Sequence, residues 1–278
     1  MTYASNKQFL FDFERHSNFK FIGSDINDLD RLYDCDYVIN CCAETHVDNS
    51  IASSDIFVKS NINGVHHLLQ LIREKGNKMP TLIQFSTDEV YGDIVSGSHT
   101  EDDILKPSNP YSATKAAADM LVLAWARTYG VPYIILRPTN NYGTGQYVEK
   151  LIPKSVKYLS IGRKIELHDG GNPRRTWLHA DDTANAVITV ITAGVVNEIY
   201  NIAGNFETSN RDVVERIVAL VDPGLTISDC TVECSRPGQD VRYSIDDTKL
   251  KNLGWTPSAV FQDELIKIVD YYQSNFIW

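Results

Sequence analysis

Residues 85–92 (Phe-Ser-Thr-Asp-Glu-Val-Tyr-Gly) set one hydroxyl, Thr87, and two adjacent carboxyls, Asp88 and Glu89, directly after the apolar run 81–85. After an intervening loop, Tyr111-Ser-Ala-Thr-Lys115 sets a phenol and an ammonium four residues apart. That spacing places both on one face of a helix. Together the two stretches offer a proton donor, a general base, and a tyrosine whose proton can be taken beside a positive charge. These are the parts of an acid–base reaction centre.

The surrounding pattern supplies elements to position them. Residues 36–43 form a short apolar run expected as a buried strand, and Ile62, Val65, Leu68, Leu69 and Ile72 recur at helical spacing over 61–75, with Gly76 where a C-cap would stand. A strand is expected over 81–86 and a long helix over 111–129, stopped by Gly130-Val-Pro132; residues 133–136 read as another strand. Apolar strands alternating with amphipathic helices predict a parallel sheet covered on both faces. Asp88 and Glu89 then fall at a strand's C-terminal end, where such sheets bind ligands. Farther on, a helix is expected over 182–192 with Ala184, Val187, Ile188 and Ile191 facing inward, then a strand over 199–202. Ser209 and Asp212 are expected to cap a helix carrying Val213, Val214, Ile217 and Leu220, and a last helix should run from Phe261 to about Phe276 with Leu265, Ile266, Val269 and Tyr272 apolar.

Composition narrows the class. The 278 residues are 43% apolar with a net charge of −10 and no concentrated Lys/Arg run, which disfavours a nucleic-acid partner. No stretch approaches the roughly 20 apolar residues of a membrane helix, and the first residues show no signal-peptide pattern. The five cysteines, at 35, 41, 42, 230 and 234, match no zinc spacing, so no metal site is expected. Cys41 and Cys42 are expected as buried free thiols, and a reducing, cytoplasmic setting fits them.

Taken together, Gly23-Ser-Asp25-Ile26, Ala43-Glu-Thr-His-Val-Asp48, Ser86-Thr-Asp-Glu-Val-Tyr-Gly92, Tyr111-x-x-x-Lys115, Asn140-Asn-Tyr-Gly143, Glu149-Lys-Leu-Ile-Pro153, Arg175-Thr-Trp177, Tyr200-Asn-Ile-Ala-Gly204 and Arg236-Pro-Gly238 resemble the extended short-chain dehydrogenase/reductases. Within them they resemble the nucleotide-sugar 4,6-dehydratases, dTDP-glucose 4,6-dehydratase in particular. The resemblance runs over essentially the whole chain. Tyr-x-x-x-Lys alone is a weak signal, whereas Thr-Asp-Glu-Val-Tyr-Gly is specific, because related epimerases and decarboxylases usually lack the acid pair.

The resemblance implies an α/β, Rossmann-like fold, NAD as cofactor, a nucleotide-sugar substrate and a homodimer formed through the helices matching 61–75 and 111–129. It implies catalytic roles for Thr87, Asp88, Glu89, Tyr111 and Lys115, with Asp88 as acid, Glu89 as base and Tyr111 taking the sugar 4-hydroxyl proton. Lys115 and the cofactor ring would lower the Tyr111 pKa. Cofactor contacts fall on Asp25, Ile26, Ala43, Tyr111 and Lys115; substrate contacts fall on His46, Asn140, Glu149, Lys150, Leu151, Arg175, Asn205 and Arg236. UDP-glucose is the nearest alternative substrate, and a non-catalytic remnant that keeps nucleotide-sugar binding or dimerisation is a rival from another class.

The family's first strand, its Gly-x-x-Gly-x-x-Gly turn and the acid ending its second strand do not occur here; the family's Leu-Thr-Tyr-Ala-type loop is met at Met1-Thr-Tyr-Ala4. The chain is therefore expected to be a truncated gene product or an incompletely read gene. Its sheet should show two open edges, at a strand near 19–22 and at 37–42. Residues 1–143 with 174–203 are expected to form an incomplete NAD-binding domain, and 144–173 with 204–278 an interleaved, smaller nucleotide-sugar-binding lobe.

Overall fold

The structure is a computed structural model that describes residues 3–6 and 8–275; Met1, Thr2 and Phe276, which enter the expectations above, lie outside them. Nine strands occur among the described residues: β1 (Tyr37–Asn40), β2 (Thr81–Phe85), β3 (Tyr133–Pro138), β4 (Asn140–Tyr142), β5 (Ile165–His168), β6 (Arg174–His179), β7 (Glu198–Ile202), β8 (Phe206–Ser209) and β9 (Thr231–Cys234). The main sheet is all parallel in the order β1-β2-β3-β7. Beyond its C-terminal edge lie β4-β6-β8 and the pair β5-β9.

The α/β expectation holds, and its cause is visible in the side chains. Successive strand residues point to opposite faces. Leu82 and Ile135 pack with Val65, Leu68, Leu69, Ile72, Ala118 and Val122 on one side, while Ile83, Ile134 and Leu136 pack with Ala186, Val190 and Trp255 on the other. A separate apolar cluster joins Tyr142, Ile152, Trp177, Ile217, Phe261 and Val269 from the later part of the chain.

The helix Pro110–Tyr129 carries the Tyr–Lys pair. Asn109 accepts from the Ser112 backbone N–H at 2.9 Å, Pro110 occupies the first turn, and Gly130 closes the helix in the left-handed conformation at φ 72°. Helical structure in front of it begins earlier than the sequence predicted, at Asp55, and passes through a π-helical stretch Val58–Asn63 before Gly64–Arg73. The wide turn aims buried Asn61 across the interior. It accepts from the Glu44 N–H at 2.8 Å and donates to the Glu44 carbonyl at 3.0 Å and to Thr114 Oγ1 at 2.9 Å. The chain after β1 is thereby fastened to the helix bearing Tyr111 and Lys115.

Several expectations are corrected. Residues 19–22 form no strand, and Phe21 and Ile22 are exposed; a strand is not held without a neighbour to take its backbone hydrogen bonds. β1 ends at Asn40 and is an edge strand, so Tyr37 and Ile39 stand 38% and 46% exposed, and Cys41 and Cys42, past its end, are exposed too. The helix before residue 76 is capped at Glu74, and Gly76 belongs to the turn that follows.

In the helix Ala180–Ala193 the inner face holds Asp182, Thr183, Ala186 and Val190, whereas Ala184 and Ile188 are exposed. The stripe is turned because the Asp182 carboxylate faces inward, accepting from Ser258 N–H and Oγ at 2.9 Å and Ala259 N–H at 3.0 Å. An apolar periodicity cannot register a buried carboxylate. In the last helix, Phe261–Ser274, Ile268 takes the buried place expected of Ile266.

Behind the acids, Arg137 on β3 is 1% exposed. Its Nε donates to Asp119 Oδ2 at 3.0 Å and its Nη1 to the Tyr91 hydroxyl at 2.7 Å. Ser86 also donates to Asp119, at 2.9 Å, and Tyr91 donates to Asn201 on β7 at 2.8 Å. Removing one partner of a buried pair strands the other charge. Arg137→Met should cost roughly 3–5 kcal/mol in urea unfolding, and Asp119→Leu added to it should recover much of that loss.

Candidate active site

The two stretches singled out by their chemistry come together. Thr87, at the end of β2, accepts from the Glu89 N–H at 3.3 Å and so starts the tight turn Asp88–Tyr91. Gly92 ends that turn at φ 82°, and a Cβ there would stand 2.3 Å from the Lys106 carbonyl oxygen. Only glycine lets the two backbones approach this closely.

Thr87, Asp88, Glu89, Tyr111, Lys115, Ala43, Asn140 and Lys150 all line one cavity of about 430 Å³. Glu89, Asn140 and Lys150 also wall a neighbouring cavity of about 190 Å³, together with His46, Glu149, Arg175 and Arg236. A roomier hollow, about 580 Å³, lies at the opposite ends of β1 and β2 around Tyr33 and Thr81, away from this chemistry. Among the described residues no group of three or more His, Cys, Asp or Glu is placed to hold a metal ion.

Electrostatics divide the two acids. Asp88 is 2% exposed. Burial, reinforced by the neighbouring Glu89 charge, pushes its carboxyl up to about 7. Its Oδ1 accepts from Thr87 at 3.2 Å, while the buried Oδ2 has no partner within the protein. Burial raises Glu89 as well, opposed by the Arg175 guanidinium and by a hydrogen bond from Asn109 Nδ2 at 3.3 Å. Asp88 is thus held near neutral pH as a proton donor with one unpartnered oxygen, whereas Glu89 has a cation and a donor that favour its charge.

The expected lowering of Tyr111 by Lys115 is not what the geometry shows. The Lys115 ammonium donates to the Phe85 carbonyl at 2.6 Å, and burial lowers its own pKa. Tyr111 is pushed up, first by burial and then by the charges of Glu89 and Asp88, against a hydrogen bond shared with Thr87. Burial and the neighbouring acids set the direction of the shift, and the Lys115 ammonium directs one of its three N–H groups to the Phe85 carbonyl.

Lys150 reaches Thr45 Oγ1 at 2.9 Å and stands 3.4 Å from Glu149, and burial lowers its pKa. His46 caps the helix Val47–Ala52 by accepting from the Asn49 N–H at 3.3 Å, so it is both a satisfied cap and a wall of the smaller cavity. Arg175 is buried, lies 4.4 Å over the Tyr243 ring and donates to the Asp240 carbonyl at 3.3 Å. Four of the sequence-derived residues line neither cavity. Asp25 accepts from Asn27, Ile26 packs beside Gly64, Leu151 packs into the later apolar clusters, and Asn205 donates to the Ala259 carbonyl at 3.3 Å.

Sequence reasoning missed Tyr243 and Asp240. The Tyr243 hydroxyl donates to Asp240 Oδ2 and stands 3.4 Å from Glu89 Oε2, and Ser108 donates to the same Asp240 oxygen. Tyr243 lies 154 positions from Glu89, and no local pattern links them. Asn109 carried a signal, since Asn before Pro reads as a helix N-cap; its amide also reaches Glu89.

This fold and this site define a short-chain dehydrogenase/reductase of the dTDP-glucose 4,6-dehydratase type. The chain belongs to the family described as GDP-mannose 4,6 dehydratase, whose family model matches residues 2–268. It is 40% identical to the low-salt glycan biosynthesis protein Agl12 of Haloferax volcanii over 98% of this chain and 88% of that one. It is 37% identical to a dTDP-glucose 4,6-dehydratase of Streptomyces niveus, over 100% of this chain and 83% of the other. Among solved structures, DesIV, a dTDP-glucose 4,6-dehydratase of Streptomyces venezuelae with NAD bound, superposes with a TM-score of 0.94 at 37% identity, over 99% of this chain and 86% of that one.

The Asp88 shift makes a prediction about stability. In the unfolded chain an Asp ionises near about 3.9, while in the folded chain Asp88 holds its proton to about 7. The folded state binds more protons across that window, so the Asp88 contribution to stability is present at low pH and is lost as pH rises through it. Asp88→Asn should match the parent's stability near pH 4 and exceed it increasingly toward pH 8, as read by urea unfolding at each pH.

Proposed function

We propose that the site is that of a nucleotide-sugar 4,6-dehydratase with dTDP-glucose as substrate. The observation that carries this reading is the pairing of a neutral, partly unpartnered acid, Asp88, with a charge-supported Glu89, beside a buried Tyr–Lys pair in one cavity. Loss of water across C5 and C6 of a hexose needs such a pair: a base for the C5 proton and an acid for the departing 6-hydroxyl. Glu89 serves as the base and Asp88 as the acid. Thr87 and Tyr111 hold the 4-hydroxyl, Tyr111 takes its proton, and Lys115 stands one helical turn from the phenol. Arg175 and Arg236, in the wall of the smaller cavity, suit a diphosphate. The chemistry a bound NAD supplies is a hydride sink, emptied again at the end of each cycle.

The residues present fit NAD at one end. Ala43, Tyr111 and Lys115 line the reaction cavity and suit its nicotinamide side. Residues 1–63 contain a single glycine, Gly23, and hence no turn of glycines through which a backbone could approach the cofactor's pyrophosphate. A second reading is a chain that binds the nucleotide sugar without turning it over. We further propose a homodimer through the helices Gly64–Arg73 and Pro110–Tyr129, a cytoplasmic setting, and the division of residues 1–143 with 174–203 from 144–173 with 204–278 as cofactor and substrate units.

Incubating the purified chain with NAD and dTDP-glucose should yield the 4-keto-6-deoxy sugar, detected as loss of one water by mass spectrometry, with a higher kcat/KM than UDP-glucose. Binding of dTDP-glucose with no product establishes the second reading, and absence of both binding and product overturns both. With turnover in hand, Asp88→Asn and Glu89→Gln should each slow dehydration by about 10²–10⁴-fold, with dTDP-glucose binding retained.

A further inference from the structure

Arg236 stands in the wall of the smaller cavity, and its orientation is set from behind. Its Nε donates to Asp48 Oδ1 at 2.5 Å, its Nη2 to Asp48 Oδ2 at 3.0 Å, and its Nη1 to Gln239 Oε1 at 3.2 Å. Asp48 belongs to the helix Val47–Ala52 near the beginning of the chain and does not itself line the cavity. The contact joins residues 188 positions apart and fastens the helix after β1 to the loop after β9.

A guanidinium has five N–H donors in a fixed plane. Three are taken by Asp48 and Gln239, which leaves one on each terminal nitrogen. Two donors held in one plane are the set that a phosphate takes in bidentate fashion. An arginine side chain loses much rotamer freedom when it is fixed by a ligand, and a residue that fixes it beforehand spares the ligand that cost.

Asp48 is in turn supported. His168 Nε2 lies 3.8 Å from its Oδ2, and the other ring nitrogen of His168 stands 3.1 Å from Cys234 Sγ. His168 and Arg236 together hold the Asp48 carboxyl well below the usual carboxylate range, against the opposing effect of burial. Asp48 is therefore a fixed anion, with β5 and β9 behind it and Arg236 in front.

We propose that Asp48 is a positioning residue for diphosphate recognition: its carboxylate holds the Arg236 guanidinium so that the remaining N–H pair meets the diphosphate of a nucleotide ligand. This rests on the reading of the smaller cavity as a diphosphate site. It places the decisive anion on the helix after β1 and the phosphate-binding cation on a distant loop, so diphosphate affinity depends on how the two are brought together.

The test uses the full chain and two probes, thymidine diphosphate by calorimetry and thymidine by ligand-observed NMR. Arg236→Ala should weaken the diphosphate at least about 30-fold and leave thymidine unchanged. Asp48→Asn, nearly isosteric, should weaken the diphosphate about tenfold, again with thymidine unchanged. If Arg236→Ala leaves diphosphate affinity unaltered, the diphosphate reading falls and the proposal with it. If Arg236→Ala weakens binding while Asp48→Asn has no effect, the positioning role alone is overturned. Tighter diphosphate binding in Asp48→Asn also overturns it, by showing that the carboxylate competes with phosphate. Equal loss of both probes in Asp48→Asn overturns it in favour of a general structural role.

Discussion

The buried ion pair between Arg137 and Asp119 is the constraint on which the reactive turn depends. Arg137 comes from β3, Asp119 from the helix that carries Tyr111 and Lys115, Ser86 from the end of β2 and Tyr91 from the turn that begins with Asp88. Through Tyr91 the network reaches Asn201 on β7, whose Nδ2 donates to the backbone of His99 and Asp246. Taking a guanidinium and a carboxylate out of water is costly, and their mutual attraction offsets that cost only if the geometry is good and the remaining donors are satisfied. The pair is supported by Ser86 from the end of β2, by Tyr91, and through Tyr91 by Asn201 on β7. The acids, the phenol and the ammonium are in register because their supporting elements share one buried polar knot.

The same low dielectric that strengthens the knot sets the state of the site. Asp88, Tyr111 and Lys115 are all displaced first by burial, each toward its neutral form. Specific partners oppose that tendency: Arg175 and Asn109 act against the upward shift of Glu89, and His168 and Arg236 hold Asp48 well below the usual carboxylate range. The site is thus a set of groups held near neutrality around a cavity, with cations concentrated in the adjoining smaller one. The cavity of the acids and the Tyr–Lys pair adjoins the one walled by Arg175 and Arg236, with Glu89, Asn140 and Lys150 in the shared wall.

Much of this was legible in the amino-acid order because the signals are local. Thr87-Asp88-Glu89 after an apolar strand, and Tyr111 four residues before Lys115, need only a strand end and one helical face to be read. The helix Pro110–Tyr129 announced its end through Gly130-Val-Pro132, whose backbone preferences act within a turn. Where inference failed, the cause was a partner far along the chain. The rotated face of Ala180–Ala193 follows from Asp182 meeting Ser258, whereas the open edge expected at 37–42 is the one β1 shows.

The sequence by itself determined the type of residue at each chemical position and the alternation of strands and helices, since both depend on side-chain chemistry and on periods of two and 3.6. Tertiary structure alone decided which groups oppose the upward shift of each acid, which carbonyl Lys115 meets, and that Tyr243 and Asp48 stand beside Glu89 and Arg236. Those properties depend on burial and on contacts between segments more than a hundred residues apart. A pKa or a guanidinium's orientation is set by everything within a few ångströms, and nearness along the chain does not specify nearness in space.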